Sequence, residues 1–310
     1  MTTNILFAAK AERWTTYETP LTKALTGAGI DFDLRTEFAP EEVDYIVYAP
    51  NSDVQDFTPY TRLRAVLNLW AGVEGVVGNE TLTVPLTRLV DHGLTQGMIE
   101  WVMGHTLRYH LGIDGHINGQ DGIWRNVAPP LAQDRKVTVL GLGALGAAVA
   151  QALAGLGFDV TGWSRSPKEI DRIHCECGPQ GLQAALSEAD IVVLLLPNTP
   201  ATENTLNAES LALMPRGAFI INPGRGPLID DDALLVALDS GQIAHATLDV
   251  FRIEPLPADH AFWAHPQVTV TPHIASETRA STASQVIAEN IRRDLNGEPL
   301  LHVVDRTLGY

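Results

Sequence analysis

The chain has 310 residues, 45% of them hydrophobic, which is enough for more than one core of ordinary size. Its formal net charge of −16 argues against a nucleic-acid or anionic-membrane partner, because there is no basic excess to neutralise phosphates. Its 2 cysteines fit a reducing compartment without a disulfide framework, and no apolar run approaches membrane-spanning length, so cytoplasmic residence with no membrane partner is expected. The N-terminal apolar stretch is too short for a secretory signal. His174, Cys175 and Cys177 are potential metal donors without a matching cluster elsewhere. They read as an incidental surface segment, and no metal site is expected.

In chain order, residues 4–8 read as a buried strand, 17–27 as a helix ending in glycine, and 31–35 and 42–48 as strands. Residues 63–69 are apolar again and lead into Trp70, Ala71 and Gly72. That turn reads equally as a plain strand-to-helix connection or as backbone N–H groups holding a small anion. Residues 84–90 read as the last strand of this α/β unit and 95–109 as a long helix. The glycine-rich stretch 112–124 reads as an arm packing on another subunit or domain, and Pro129-Pro130 as a linker.

The next stretch, 136–165, organises the rest. A Val-rich run precedes Gly141, Gly143 and Gly146, an Ala-rich helical segment follows, and residues 158–163 read as a second strand. Gly141 can make the tight turn, Gly143 lets a pyrophosphate approach the backbone, and Gly146 lets helix pack on strand. Ala144 and Leu145 then open a helix whose free N–H groups face the phosphates. A strand–glycine turn–helix–strand unit of this length predicts dinucleotide binding.

Beyond it, 181–189 and 230–241 read as helices, 191–196, 218–222, 246–250 and 268–271 as strands, and 281–295 as a closing helix. Ligands in open α/β sheets sit beyond the carboxyl ends of strands. Pro197, Arg225, Glu254 and His273 all fall at such ends. Arg225 lies between two glycines, Glu254 before a Pro-Leu-Pro run, and His273 after a proline.

These motifs resemble the D-isomer-specific 2-hydroxyacid dehydrogenase family. The resemblance is carried by GLGALG (141–146), LLLPNTPATENT (194–205), NPGRGPLIDDDALLVAL (222–238), and LDVFRIEPLP with HPQVTVTPHIAS (248–257 and 265–276). More narrowly, WAGVEGV, WSRS, the lack of a regulatory domain and the tail VDRTLGY are similar to its glyoxylate/hydroxypyruvate reductase A branch. Asn222-Pro223 departs from many relatives and is expected to alter a cofactor contact slightly.

The resemblance implies two Rossmann- or flavodoxin-like α/β domains, with parallel sheets covered by helices on both faces. The cofactor domain (99–276) would be inserted into a substrate domain (1–98 and 277–310). It implies a homodimer and reduction of a small 2-keto acid, such as glyoxylate or hydroxypyruvate, to the D-2-hydroxy acid. Arg225 would hold the substrate, His273 donate the proton and Glu254 orient His273, with Ala71, Gly72 and the Tyr48 ring beside the substrate. Besides the glycine turn, the cofactor would touch Leu196, Pro197, Thr202, Pro223, Gly224, Arg225, Asp249, His273 and Ala275. Ser164, Arg165 and Ser166 stand where NAD-preferring relatives carry a carboxylate, so NADPH is expected over NADH, with NADH possible. Rival readings are a nucleotide-sensing, non-catalytic corepressor on the same fold and another 2-hydroxyacid dehydrogenase. A phosphoglycerate dehydrogenase would want a basic phosphate site, and a formate dehydrogenase Gln in place of Glu254. The short chain without disordered extensions argues against the corepressor.

Overall fold

A computed structural model describes residues 2–310. The chain divides into two compact units, Met1–Leu94 with Glu277–Tyr310, and Thr95–Ser276. The first contains β1 (Thr3–Ala8), α1 (Ala11–Gly27), β2 (Phe32–Arg35), β3 (Tyr45–Tyr48), β4 (Ala65–Asn68) and β5 (Leu86–Thr87). Next, α2 (His92–His110) carries the chain into the second unit, so the expected boundary at residue 98 falls within a helix.

The second unit continues with α3 (Ile113–Asn118), β6 (Lys136–Leu140), α4 (Ala144–Gly155), β7 (Asp159–Ser164), β8 (His174–Cys177), α5 (Gly178–Ser187) and β9 (Ile191–Leu194). It ends with α6 (Ala208–Leu213), β10 (Ala218–Asn222), α7 (Asp231–Asp239), β11 (Ile243–Leu248), α8 (Ala261–Ala264) and β12 (Val268–Val270). Helix α9 (Ala280–Leu295) returns to the first unit.

The first unit is a 5-stranded parallel sheet in the order β2-β1-β3-β4-β5, the flavodoxin-like arrangement. Strands β3 and β4 are buried at every residue, because apolar clusters cover both faces of the sheet. Helix α1 begins at Ala11, earlier than expected, and continues through Pro20. Its buried Tyr17, Leu21 and Leu25 recur every four residues, and packing that stripe offsets the backbone bond lost at proline. Helix α9 buries Ala283, Ser284, Ile287 and Ile291 on one face and packs against α1.

The second unit is a 7-stranded parallel sheet in the order β12-β11-β10-β9-β6-β7-β8. Counted from β6, this is the doubly wound order 3-2-1-4-5-6 with one further strand. One apolar cluster joins α2 and α4 to one face, and a second covers the other face beneath α5, α6 and α7. Four local expectations are corrected. His174, Cys175 and Cys177 form β8, because they pair in parallel register with β7 at Thr161, Gly162 and Ser164. Residues 113–118 are helical, with Arg108 of α2 bonded to Asp114 at 2.7 Å. Pro129-Pro130 marks no unit boundary, since residues 95–276 form one compact body. The strand expected from residue 42 starts at Tyr45, because Pro40–Glu42 is a short 3-10 turn.

Candidate active site

Strand order reverses between β6 and β9, and the crevice beyond their carboxyl ends is where such sheets bind ligands. The three glycines that follow β6 differ in what the protein itself demands. Gly141 has φ +106°, and a Cβ there would meet the Leu195 carbonyl oxygen at 2.5 Å. A Cβ on Gly146 would lie 1.7 Å from the carbonyl oxygen of Gly141, so helix and turn touch there. A Cβ on Gly143 would meet nothing within 4 Å. The chain therefore needs the first and third glycines for itself, and the middle one leaves space for something outside it. Gly143 is the N-cap of α4 and provides no side-chain cap; Ala144 beside it is exposed and Leu145 half-buried. The first-turn N–H groups and the positive helix end face that space.

At the end of β7, the Ser164 hydroxyl donates to the Ser166 carbonyl at 2.8 Å, so its one proton holds the loop and only its lone pairs remain. Arg165 and Ser166 are exposed. In the loop after β9, Leu196 is buried and Pro197 half-buried. Thr202 donates to the Pro197 carbonyl at 2.7 Å and accepts from the Thr199 N–H at 2.9 Å. Its hydroxyl proton thus shapes this loop.

After β10, Pro223 and Gly224 are buried and Arg225 half-buried. The sequence offered no role for the side chain of Asn222. It donates to the Arg225 carbonyl at 2.9 Å and accepts from the Gly224 N–H at 3.1 Å, clamping the turn that carries Arg225. The departure at Asn222-Pro223 was the available signal. Arg225 Nη1 donates to the Gly224 carbonyl at 2.6 Å.

His273 has φ 54°, a left-handed conformation rare for a residue with a side chain. Asp249, with 0% exposure, enforces it. Its carbonyl accepts from the His273 N–H at 2.8 Å. Its carboxylate accepts from Thr271 Oγ1 at 2.6 Å, the Ile274 N–H at 2.9 Å and the Ala275 N–H at 2.8 Å. Asp249 is thereby corrected from a cofactor contact to a positioning residue: its carboxylate faces the turn and none of it is open to a ligand. Ala275 is buried with its N–H committed to that carboxylate.

His273 Nδ1 lies 2.7 Å from Glu254 Oε2, while Glu254 Oε1 accepts from the Phe251 N–H at 2.9 Å. With Nδ1 engaged and the side chain 51% exposed, Nε2 is the nitrogen open to a ligand. The hydrogen bond that Nδ1 donates to Glu254 raises the imidazole above its ordinary value; burial and the Arg225 charge oppose it, and the charges of Glu254 and Asp249 add to it. Burial pushes the Glu254 carboxyl up, but hydrogen bonds from His273 and Phe251 and the charges of His273 and Arg225 outweigh it, leaving a net fall. The arrangement is an imidazole of raised proton affinity, oriented by a carboxylate, with a guanidinium close enough to affect both.

In the first unit, Asn68 at the end of β4 donates to the carbonyls of Trp70 and Gly72, both at 2.9 Å. Those bonds turn the carbonyls inward, and the N–H groups of Ala71 and Gly72 donate to no described residue. Such consecutive N–H groups make an anion cradle. An Asn ending a buried apolar strand before a Gly turn was the signal for it. Tyr48 is corrected. It has 0% exposure, donates to the Val54 carbonyl at 3.2 Å and packs edge-on against Phe57 at 5.5 Å. It is a core residue, because β3 is central in its sheet and covered on both faces.

Residues 105–275 match the family model described as D-isomer specific 2-hydroxyacid dehydrogenase, NAD binding domain. The chain is 43% identical over 257 residues to glyoxylate/hydroxypyruvate reductase A of Serratia proteamaculans, covering 80% of this chain and 82% of that one. It resembles the crystal structure of a D-isomer specific 2-hydroxyacid dehydrogenase from Xanthobacter autotrophicus Py2 in complex with NADPH and MES. That likeness has a TM-score of 0.93 and 41% identity over 100% of both chains. A second solved relative is the NADPH-dependent glyoxylate/hydroxypyruvate reductase of Sinorhizobium meliloti in complex with NADP and sulfate. It has a TM-score of 0.85 and 34% identity, again over 100% of both chains.

Proposed function

We propose a substrate and a set of roles from one premise: the chain belongs to the D-isomer specific 2-hydroxyacid dehydrogenase family. Its reaction is the NADPH-dependent reduction of a small 2-keto acid, glyoxylate or hydroxypyruvate, to the corresponding D-2-hydroxy acid. The observation that carries this reading is the bonded pair of His273 and Glu254 on the same strand-end edge as Arg225. A chain that only sensed a nucleotide would have no need of an oriented imidazole with a raised proton affinity.

The glycine turn fits a dinucleotide: open space at Gly143, an uncapped helix start, and close approach at Gly141 and Gly146. Gly143, Ala144 and Leu145 are assigned the pyrophosphate, and Arg165 with Ser166 the 2′-phosphate, where no carboxylate stands to repel it. Leu196, Pro197, Pro223 and Gly224 form the walls, with Ser164, Thr202 and Ala275 shaping the loops through their internal bonds. A reduced nicotinamide held there supplies the hydride.

Arg225 takes the substrate carboxylate and keto oxygen, for which a planar fork suits two oxygens. His273 holds the proton on Nε2 and passes it to the keto oxygen as that oxygen gains charge. Glu254, on Nδ1, fixes the ring and balances the imidazolium charge. The cradle at Ala71 and Gly72 is assigned a carboxylate as its ligand.

A second copy of the chain is assigned to the arm after α3. Trp124 is 93% exposed, and Ile117, Ile123, Val127 and Leu131 are exposed around it, an apolar surface that a monomer rarely leaves in water. No helix among the described residues is long and apolar enough to cross a membrane. Cytoplasmic residence rests on the two free cysteines, Cys175 and Cys177.

The test is a panel of 2-keto acids read by the absorbance of the reduced nicotinamide with NADPH and with NADH. Glyoxylate and hydroxypyruvate should turn over with NADPH as the better donor. His273→Ala should lose about a hundredfold to ten-thousandfold in the chemical step, the range for a positioned general acid. Near-normal reduction by that variant would overturn the assignment and favour a binding protein.

A further inference from the structure

Arg252 lies two residues before Glu254 in the loop after β11, and no role has been given to it so far. Its guanidinium reaches the two neighbouring strand-end loops at once. Nη2 donates to the Asn204 side-chain carbonyl, in the loop after β9. The same nitrogen donates to the Ile229 carbonyl at 2.6 Å and approaches the Pro227 carbonyl at 3.4 Å, both in the loop after β10. Nη1 faces Glu203 at 3.4 Å, and Nε lies 3.8 Å from Asp231 at the start of α7. The loops it ties are those bearing Pro197 and Thr202, Arg225, and Glu254. Asn204 is itself held in a left-handed conformation at φ 51°, with its N–H on the Pro227 carbonyl at 2.9 Å.

The contact beneath the guanidinium is close. A Cβ on Gly226 would meet the carbonyl carbon of Phe251 at 2.0 Å, so the chain beside Arg225 runs directly against the chain beside Arg252. Phe251 then gives its N–H to Glu254. A shift of the Arg252 loop therefore moves the carboxylate that orients His273 and the backbone that borders Arg225.

We propose that Arg252 is a positioning residue that fixes the registry of the loops after β9, β10 and β11, and so the alignment of Glu254 and Arg225 about His273. Five donors in a planar fork can serve several loops from one centre, whereas an ammonium would serve one or two. The chemistry does not pass through Arg252. Its side chain is 31% exposed, and its Nη2 is committed to acceptors in the two neighbouring loops, so it is an anchor and not a ligand. This assignment rests on the roles proposed above for Glu254 and His273.

The test compares wild type with Arg252→Met and Arg252→Lys by two independent readouts. The first is the His273 imidazole titration followed by NMR and assigned with a His273→Asn control. The charged groups facing that imidazole are Glu254, Asp249 and Arg225; those facing Arg252 are Glu203 and Asp231, with His260 beyond Asp231 at 3.7 Å. In Arg252→Met the His273 titration should move to lower pH as the Glu254 bond is populated less, and Arg252→Lys should recover part of the shift. The second readout is steady-state reduction, where kcat should fall about tenfold with a smaller change in the KM for NADPH and an alkaline limb displaced to lower pH. A His273 titration and pH profile unchanged from wild type, with only a lower Tm, would overturn the proposal and leave Arg252 a plain loop brace. The NMR arm reads without turnover. A wild type that reduced no keto acid would defeat the functional reading, while the titration would still decide the role of Arg252.

Discussion

His273 and Glu254 share one hydrogen bond, and its effect on proton affinity has opposite signs at the two ends. The imidazole is raised from its ordinary 6.5 and the carboxyl lowered from its ordinary 4.5. For folding, the raised imidazole contributes fully below 6.5, and its contribution is lost as pH rises through the folded value. The lowered carboxyl contributes above 4.5, and its contribution is lost as pH falls through the folded value. The pair therefore supports the fold most between those ordinary values. In the role proposed for it His273 must be protonated for reduction, so the alkaline limb should follow its value upward. Glu254→Gln removes the charge and keeps the shape, and should pull that limb to lower pH. An unmoved limb in a pH–rate profile of kcat/KM would take the orienting role away from Glu254. Tyr48 shows the opposite case at this scale: a ring the family resemblance placed beside substrate is fully buried in the core, edge-on to Phe57.

The turn from β6 into α4 separates two reasons for a glycine. Gly146→Ala would force a methyl to within 1.7 Å of the Gly141 carbonyl, and no flexible neighbour can yield there. This variant should lose several kcal/mol of stability, as overpacking against backbone does, or fail to fold. Gly143→Ala meets nothing within 4 Å and keeps φ −74°, so its thermal unfolding should match wild type or rise slightly. Its methyl would stand in the space assigned to the pyrophosphate, and NADPH affinity should fall by at least tenfold by fluorescence titration. A Gly143→Ala protein with wild-type affinity would move the dinucleotide away from this turn. Gly141 also belongs to the fold, since its φ of +106° disfavours any side chain.

At the scale of the whole molecule, the arm after α3 exposes a run of apolar side chains while the chain is strongly acidic. Net charge of −16 disfavours casual association of copies, so a dimer needs a local contact strong enough to overcome it. The arm around Trp124 offers one, with Ile123 and Val127 exposed beside it. Trp124→Arg should shift the sedimenting species from twice the chain mass to the chain mass at micromolar concentration, because interface aromatics often carry ≥ about 2 kcal/mol. A wild type that sediments as a single chain would remove the arm from that role. Each unit has its own sheet and its own pair of apolar clusters, which is why a chain of 310 residues sustains two strand orders.

The sequence by itself determined what local chemistry determines. Buried parallel strands read as unbroken apolar runs, as at residues 191–194, and the glycine spacing at 141–146 marks the tight turn from β6 into α4. Arg225, Glu254 and His273 were visible because each stands at a strand end among glycines or prolines. Only the tertiary structure decided which polar side chains serve the fold. Asp249 looked like a ligand contact but turns its whole carboxylate into its own loop, and the hydroxyl protons of Thr202 and Ser164 are spent within theirs. Asn222 and Arg252 in the second unit and Asn68 in the first looked unremarked, yet each holds the turns beside it. A hydrogen bond between residues far apart in the chain has no period or spacing to announce it. Its partners are chosen when sheet order brings the loops together, and the burial of Tyr48 follows from the same cause: a strand's place in a sheet is a property of the fold, and not of the strand.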